Sequence, residues 1–420
     1  MWLRNRVFDM LRHRAGNNLP LRLALWDGTA LDFGPAPLVT LKLASPRVLR
    51  LFLTGNMGKL GEAYVRGDLL VEGRLQDVLQ VGMALADRIG RSPLIRRAAA
   101  LAAKRPRRHA RKRDVAAISY HYDVSNDFYA LWLDQNMIYS CALFETGNET
   151  LEAAQERKLE HICRKLRLAP GETLLDIGCG WGGLLRWAAH HHGVHGVGVT
   201  LSHQQYEYAQ RQVEAEGLAG QIEIRLQDYR EIPGDALFDK IVSVGMYEHV
   251  GLANLPRYFG AIARLLKPGG AFLNHGISAG DPNGQAQGPP GGEFIDRFVF
   301  PGGELPHVSR ALYEASRAGL EIADFEDLRP HYPLTLLAWV GRLEAARDQA
   351  IAAAGIERYR IWRIYMAGMA AAFDRGWLTV GQMLAYKPGL SGMAQRPRTR
   401  GYQYEIGTPS LTTRLDWGDL

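Results

Sequence analysis

The sequence predicts an α/β protein with a doubly wound, mostly parallel sheet, and three observations lead to this prediction. The chain has 420 residues, of which 47% are hydrophobic and 22% are charged, so it can bury a sizeable core. Downstream of residue 114, short apolar runs rich in β-branched residues alternate with helical stretches. The length also allows a second, smaller domain beside the sheet.

Five runs in this region read as strands, and each is a short apolar segment between polar or glycine-containing turns. They are "TLLDIG" (173–178), "HGVGVTLS" (195–202), "IEIRLQD" (222–228), "DKIVSVGM" (239–246) and "GAFLNHGIS" (270–278). The stretches between them, such as "LLRWAAHHH" and "HQQYEYAQRQVEAEG", are typical of helices. Strands and helices that alternate at this spacing favour parallel pairing, with helices on both faces of the sheet.

The turn after the first of these strands is unusually rich in glycine. In "LLDIGCGWGG" (174–183), Gly178, Gly180 and Gly182 follow the strand, where small residues let a ligand approach the backbone closely. A dinucleotide is one candidate ligand, but the spacing is GxGxG rather than GxGxxG, and no acidic residue ends the second strand to hold a ribose. Asp176, inside the motif, instead favours S-adenosylmethionine.

The net charge of +6 is concentrated in one tract. Residues 104–114, "KRPRRHARKRD", contain seven Lys or Arg and one Asp, and Pro106 interrupts any helix there. The tract therefore predicts a solvated linker between residues 1–103 and 115–420. An anionic phospholipid surface is the alternative role for it, because basic residues are attracted to such a surface. Nucleic acid is not expected, since no recognition motif or interleaved aromatics accompany the tract.

Targeting and cysteine patterns indicate a cytoplasmic protein. No apolar run reaches the roughly 20 residues needed to cross a bilayer, and the first residues lack the apolar centre of a signal peptide. Cys141, Cys163 and Cys179 have neither a CxxC nor a metal-ligand spacing. We therefore expect no disulfide framework and no metal site.

Several long motifs resemble one known family. They are "YHYDVSNDFYALWLDQNMIYSCALFE" (120–145), "LLDIGCGWGG", "VGVTLSHQQ", "MYEHVG", "FIDRFVFPGGELP" and "HYPLTLLAW". Together they resemble the cyclopropane-fatty-acyl-phospholipid synthases over roughly residues 115–390. The segment 60–79, "LGEAYVRGDLLVEGRLQDVL", is similar to the smaller N-terminal domain of the members that act on phospholipids. Relatives that act on mycolic acids lack that domain.

The resemblance implies a fold and a domain division. It implies a Rossmann-like class I methyltransferase fold, in which residues 115–420 form the catalytic domain that binds S-adenosylmethionine. Residues 1–103 would form a smaller α+β domain that docks the lipid substrate, and residues 104–114 would join the two.

The resemblance also implies the cofactor contacts. In the family the end of the second strand reads TLSxxQ, and its Thr and Gln contact the cofactor, which accounts for the missing ribose acid. Here these residues are Thr200 and Gln205. Asp228, at the end of the third strand before Tyr229, would lie near the adenine. Tyr139 and Ser140 would close over the methionine end, with Asp176, Gly178 and Gly180 supplied by the glycine turn.

The chemistry that the resemblance implies needs a base as well as a methyl donor. A cis alkene is a poor nucleophile, and its methylation leaves a carbocation that water would quench, so the site must be dry. Closing a cyclopropane ring then requires a base that removes a proton from the added methyl group. Family members hold bicarbonate for this purpose, and the matching positions here are Cys141, Glu248, His275, the backbone of Ile277, and Tyr332.

The strand positions support two of these five residues independently of the resemblance. Glu248 follows the fourth predicted strand and His275 lies near the end of the fifth, so both are expected at the carboxyl edge of the sheet. Two motifs depart from the family pattern. "HYPLTL" has Pro333 and Leu334 where "HYARTL" is usual, which bears on contacts with the acyl chain or headgroup, and "NHGIS" replaces the commoner "LHTI".

We therefore expect a cytoplasmic enzyme, peripheral to the inner face of the membrane, that adds a methylene across a cis double bond of a phospholipid acyl chain. The alternatives are a fatty-acyl methyltransferase that leaves a branched or exomethylene chain, and a small-amine N-methyltransferase. A non-catalytic lipid-binding protein is a further alternative, which would bind vesicles without consuming cofactor. The expected partners are an unsaturated phospholipid and an anionic membrane surface, and a homodimer remains a further candidate arrangement.

Overall fold

The structure is a computed structural model, and it describes most of the chain. The described residues are 18–54, 57–74, 77–78, 80–82, 84–85, 125–282, 292–300, 304–389 and 396–404. The predicted basic linker, residues 104–114, lies outside them.

The described secondary structure consists of short strands near the N-terminus and alternating strands and helices after residue 150. The strands are β1 (Leu21–Ala24), β2 (Ala30–Asp32), β3 (Val39–Leu43), β4 (Leu69–Glu72), β5 (Thr173–Ile177), β6 (His195–Thr200), β7 (Ile222–Leu226), β8 (Phe238–Val244), β9 (Leu266–Ala279), β10 (Glu321–Asp327) and β11 (Leu378–Tyr386). The helices are α1 (Pro46–Thr54), α2 (Met57–Arg66), α3 (Asn126–Ala130), α4 (Leu151–Leu166), α5 (Gly183–His192), α6 (His203–Ala215), α7 (Leu255–Leu265), α8 (Gly292–Phe298), α9 (Val308–Arg317), α10 (His331–Ala345) and α11 (Arg347–Asp374).

The chain forms two compact units, and each draws on separate stretches of sequence. The first comprises Met1–Arg108, Gly280–Gly302 and Pro333–Leu378, and the second comprises His109–Ala279, Gly303–Tyr332 and Thr379–Leu420. The first unit thus includes two later segments in addition to the N-terminal region. The boundaries at residues 103 and 115 stay a prediction, because that stretch is outside the described residues.

In the first unit, a four-stranded sheet packs with helices, as expected for a small α+β domain. Its strand order is β2-β1-β3-β4, with β1 antiparallel to β2 and parallel to β3. Strand β3 alternates buried Val39, Leu41 and Leu43 with more exposed residues, so one face of the sheet forms the core. The later helix α11 contributes to the same unit, because Arg360 donates to the carbonyl of Val65 at 3.0 Å.

The second unit contains a seven-stranded sheet of order β10-β11-β9-β8-β5-β6-β7. Strand β5 pairs in parallel with β6 and β8, and the parallel pairing continues to β7 on one side and β9 on the other. At the other end of the sheet, β10 pairs antiparallel with β11. The five predicted strands correspond to β5–β9, and the prediction of a doubly wound, mostly parallel sheet is confirmed.

The order of the strands reverses at β5, which creates the crevice in which open α/β sheets bind ligands. The chain moves from β5 through β6 to β7 on one side and then returns to β8 on the other. The glycine turn follows β5 directly and leads into α5. Residues Leu174–Ile177 of β5 are all buried, including Asp176. The switch point therefore places the glycine turn at the expected ligand edge.

Candidate active site

A cavity opens at the carboxyl ends of four neighbouring strands in the second unit. Its wall includes the residues that follow β5, β6, β7 and β8, together with parts of the 137–140 segment and of α4. All nine residues predicted to contact the cofactor line it: Tyr139, Ser140, Asp176, Gly178, Gly180, Thr200, Gln205, Asp228 and Tyr229. The structure thus brings this predicted set together around one space.

The three glycines of the turn are needed for different reasons. All have positive φ, at 81° for Gly178, 55° for Gly180 and 80° for Gly182. A Cβ at Gly178 would lie 2.9 Å from Cγ of Met246, and one at Gly182 would lie 3.2 Å from Cβ of Ala209. A Cβ at Gly180 would have no atom within 4 Å. Gly178 and Gly182 therefore allow close packing of the protein, whereas Gly180 leaves room in the cavity.

The TLSHQQ segment joins the end of β6 to the first turn of α6 through side-chain hydrogen bonds. The hydroxyl of Thr200 donates to Oε1 of Gln205 at 2.9 Å. Ser202 caps α6 by accepting from the amide of Gln205 at 3.3 Å, while its own amide donates to Oγ1 of Thr200 at 3.2 Å. This local network fixes the two predicted cofactor residues against the cavity.

Asp228 ends up in a charged and aromatic corner of the cavity. It caps the 3-10 turn Tyr229–Glu231, and its carboxylate accepts two hydrogen bonds from Arg230, at 2.9 and 2.6 Å. The Tyr229 ring packs edge-on against Tyr258, with centroids 5.7 Å apart. Asp228 is therefore held in one orientation by a bidentate ion pair.

Aromatic rings enclose the other side of the cavity. Tyr139 lies 5.9 Å from the ring of Tyr129 and 5.5 Å from Trp132, between ring centroids. Trp181 packs on Tyr129 at 4.9 Å and donates its indole N–H to Asn126 at 2.8 Å. Tyr139 and Trp181 both line the cavity. The wall is thus apolar and aromatic, as a reaction that must exclude water requires.

Polar side chains of α4 bond to the wall of the cavity at Ser140, and no sequence motif pointed to them. Lys158 is 1% exposed and donates to the hydroxyl of Ser140 at 2.8 Å. Gln155 donates to the Ser140 carbonyl at 2.9 Å. Burial lowers the pKa of Lys158 to about 8, and burial raises the pKa of Asp176 to about 7. The sequence signal for Gln155 and Lys158 was their spacing, since both share the face of α4 that carries buried Leu151, Ala154 and Leu159.

The predicted base-binding residues include one directly bonded pair. Glu248 lies in the 3-10 turn Tyr247–His249 that follows β8, while His275 and Ile277 lie in β9. The backbone N–H of Ile277 donates to Oε1 of Glu248 at 2.7 Å. Oε2 of Glu248 and Nε2 of His275 are buried and have no hydrogen-bond partner among the described residues. Both atoms therefore have unused hydrogen-bonding capacity.

Burial determines the charge states of Glu248 and His275. It raises the pKa of the Glu248 carboxyl to about 7, and the Ile277 amide offsets part of that effect. It also lowers the pKa of His275 well below its usual value, and the nearby charge of Lys158 acts in the same direction. With the Gln382 amide donating to Nδ1 of His275 at 3.2 Å, the imidazole proton resides on Nε2. A neutral imidazole and a protonated carboxyl can each donate one hydrogen bond to an anion.

Cys141 and Tyr332 lie on two segments that hydrogen bonds hold side by side. The Cys141 thiol donates to the carbonyls of Ala142 and Leu328, at 3.3 and 3.8 Å. The Phe144 amide donates to Nδ1 of His331 at 3.3 Å, and Tyr332 follows and is buried. Their place around an anion, together with that of the other three residues, stays a prediction.

The two departures from the family motifs have local explanations. Pro333 falls in the first turn of α10, where a missing N–H is tolerated. A Cβ at residue 276 would lie 2.1 Å from the ring of Tyr247. The Tyr247 hydroxyl in turn donates to the Ile277 carbonyl at 2.8 Å and contacts Oγ of Ser278 at 2.5 Å. Gly276 therefore leaves room for the Tyr247 ring, whose hydroxyl bonds to the end of β9.

No described group of three or more His, Cys, Asp and Glu is arranged to hold a metal ion. None of the described helices is both long and apolar enough to cross a membrane.

Comparisons with known proteins give consistent matches over most of the sequence. The model of the family described as mycolic acid cyclopropane synthetase matches residues 109–383, and a domain of unknown function matches residues 9–92. A Pseudomonas putida protein named "Probable fatty acid methyltransferase" is 45% identical over 92% of this chain and 97% of its own. The cyclopropane-fatty-acyl-phospholipid synthase of Escherichia coli K12 is 42% identical over 60% of this chain and 63% of its own.

Solved structures resemble about two thirds of the chain. The cyclopropane synthase MmaA2 from Mycobacterium tuberculosis has a TM-score of 0.62 and 32% identity, covering 65% of this chain and 98% of its own. The mycolic acid cyclopropane synthase CmaA1, complexed with SAH and CTAB, has a TM-score of 0.61 and 34% identity over the same shares.

Proposed function

Because this chain belongs to the mycolic acid cyclopropane synthetase family, we propose that it transfers a methylene from S-adenosylmethionine across a cis double bond of a phospholipid acyl chain. The family is one of S-adenosylmethionine-dependent lipid-modifying enzymes with the class I methyltransferase fold. The observation that carries the finer proposal is the pair of buried, unpartnered polar atoms on Glu248 and His275. Glu248 follows β8 and His275 lies in β9, at the same edge of the sheet as the cavity.

The reaction has two steps, and each places a demand on the site. First, an alkene carbon forms a bond to the donor methyl as the sulfur–methyl bond breaks, which releases S-adenosylhomocysteine and leaves a carbocation on the neighbouring carbon. Second, the methyl loses a proton, and the electrons of that C–H bond close the ring. The rings of Tyr139 and Trp181 would keep water from the cation between these steps.

The residues present fit a bound bicarbonate, which when bound would supply the base for the second step. Nε2–H of His275 and the protonated Oε2 of Glu248 are each a hydrogen-bond donor of the kind that an anion needs, and we propose that they bind it together. The Ile277 amide donates to the other oxygen of Glu248, and we propose that the Ile277 backbone belongs to the same site. We assign Cys141 and Tyr332 to the same site on the resemblance, supported by their neighbouring segments.

A second function, fatty-acyl methylation, is supported by the Pseudomonas putida relative that matches 92% of this chain. It begins with the same cation. A hydride shift to the cationic carbon, followed by loss of a methyl proton, gives an exomethylene chain instead of a ring. The exomethylene product is an isomer of the cyclopropane. A saturated branch would need an additional hydride donor.

The deciding experiment therefore identifies the structure of the product rather than its mass. The purified protein is incubated with vesicles of a cis-monounsaturated phospholipid and S-adenosylmethionine carrying a carbon-13 methyl, and the released fatty esters are studied by NMR. We expect the label in a ring methylene. A label in an olefinic methylene would show methylation in place of cyclopropanation, and fatty esters without any label would refute the proposed function on lipids.

We also propose that the N-terminal region docks the protein on a lipid surface. The excess positive charge of the chain is confined to residues 104–114, and charge of this kind attracts anionic headgroups. Vesicle binding that falls with rising salt would support this proposal, since salt screens exposed charges.

A further inference from the structure

Lys158 is a buried charge, and among the described residues most of its hydrogen-bonding capacity is unused. Its ammonium has three N–H donors, and one of them bonds Ser140 at 2.8 Å. The side chain is 1% exposed and lines the cavity. A buried ammonium is costly unless it is paired and hydrogen-bonded. The arrangement therefore points to an acceptor that the cavity itself receives.

Asp176 presents the opposite charge on the same wall. It is 2% exposed, and its Oδ1 is buried without a hydrogen-bond partner among the described residues. Asp134 is the carboxylate with the largest electrostatic effect on Lys158, and Asp176 has a smaller one; no direct ion pair joins the lysine to either acid in the described part of the chain. The Asp134 oxygens accept from the backbone N–H groups of Asn136 and Ile138, so Asp176 is the acid that lines the cavity and has an oxygen without a partner among the described residues. Two opposite charges that are close yet separate are complementary to a zwitterion, because each can bind one of its charged groups.

We propose that Lys158 binds the carboxylate of the amino-acid end of the cofactor, opposite Asp176, which receives the ammonium. The inference rests on the proposed cofactor cavity. The hydroxyl of Ser140 and the helix α4 hold the lysine in place. The competing explanation is that Lys158 only holds Ser140 and the neighbouring Tyr139, without touching the ligand.

Two ligands that differ only in the carboxylate separate these explanations. S-adenosylhomocysteine carries the carboxylate, and its decarboxylated analogue keeps the amine, the sulfur and the nucleoside. Affinities are measured by calorimetry for the full-length protein. The wild type should bind S-adenosylhomocysteine about 10- to 100-fold more tightly than the analogue, the range expected for a buried charged hydrogen bond.

The variants then locate the source of that preference. In Lys158→Met the affinity for S-adenosylhomocysteine should fall by about the same 10- to 100-fold, while affinity for the analogue stays within about threefold. Lys158→Arg should retain part of the preference, since it keeps a cation. Ser140→Ala is the comparison variant, because it removes the hydroxyl but keeps the ammonium: Lys158→Met should lose more of the preference for the carboxylate than Ser140→Ala does.

Other outcomes overturn the inference. Equal weakening of both ligands in Lys158→Met would show that the lysine acts only through Ser140. A wild type that binds both ligands equally would exclude a carboxylate contact even if the variants did not fold. A failure of the proposed function would give a different result: no lipid product would form, although the wild type would still bind S-adenosylhomocysteine more tightly than the analogue.

Discussion

Replacing Glu248 with glutamine should make the protein more stable at neutral pH and much slower as an enzyme. The carboxyl is buried, one oxygen accepts from Ile277, and the other has no partner among the described residues. Glutamine keeps the size and the acceptor, but it cannot ionise. The substitution therefore removes the cost of a buried charge together with the acidic proton.

The size of the stability change follows from the pKa. Burial raises the pKa of Glu248 from 4.5 to about 7. Between these two pH values the folded state keeps a proton that the unfolded state has lost, so stability falls as pH rises. Each pH unit costs about 1.4 kcal/mol, which gives about 3 kcal/mol across the interval. This loss is absent below pH 4.5 and complete above about pH 7, and the glutamine variant should not show it.

The loss of turnover has a separate cause. If Glu248 donates to the bound base, glutamine supplies an amide in place of an acid and misplaces the proton. Turnover should fall by roughly 10²- to 10⁴-fold, the usual effect of a positioned acid–base group. Cofactor affinity should be unchanged, because Glu248 does not line the cavity. Wild type prepared without bicarbonate should also be slow and should recover when bicarbonate is added, whereas the variant should respond much less.

Urea denaturation at about pH 5 and about pH 8 measures the stability difference. Asp176 titrates in the same range, but it is present in both proteins and its effect cancels. Tyr247→Phe is the matched control, since it removes two neighbouring hydrogen bonds without removing a group that titrates near neutrality. Identical pH dependence in wild type and Glu248→Gln would refute the protonated carboxyl, and unchanged turnover would refute its role in holding the base.

Three further outcomes test other parts of the molecule. Gly180→Val should abolish S-adenosylhomocysteine binding in calorimetry. Gly217→Val is the control, because Gly217 also has positive φ and open space around it. Each substitution should cost about 1–2 kcal/mol of backbone strain, but Gly217→Val should leave the affinity unchanged. Equal affinities in the two variants would place the cofactor elsewhere. Glu326→Gln should lower the free energy of unfolding by about 1–3 kcal/mol in urea denaturation, because it removes the nearest negative charge from the buried Lys165 and leaves only Asp324, at 3.8 Å, among its described ion-pair partners. A change below about 1 kcal/mol would show that Lys165 is satisfied otherwise. Neutral substitutions of the basic residues in 104–114 should weaken the free energy of binding to anionic vesicles, measured by co-sedimentation, by about 1 kcal/mol per charge removed. Unchanged binding would show that the tract is only a linker.

The sheet could be predicted from sequence because its strands are short, apolar and separated by helices. "TLLDIG" and "DKIVSVGM" became adjacent parallel strands, β5 and β8, since both are buried on two faces. The two-unit division could not be predicted in the same way. Helix α11 belongs to the first unit although it lies far along the chain, and Arg360 contacts Val65 across 295 positions. Local patterns contain no information about such pairings.

The site shows the same division between local and long-range information. Thr200 and Gln205 were predictable as a pair because strand end, cap and first helical turn are consecutive. Lys158 was not identified, since its partner Ser140 lies on a separate loop. Its position still contained a signal: a lysine on the buried face of an amphipathic helix must find compensation inside the protein. A polar residue that interrupts an apolar helical face is therefore evidence for a buried site, and the residues it compensates have to be found in three dimensions.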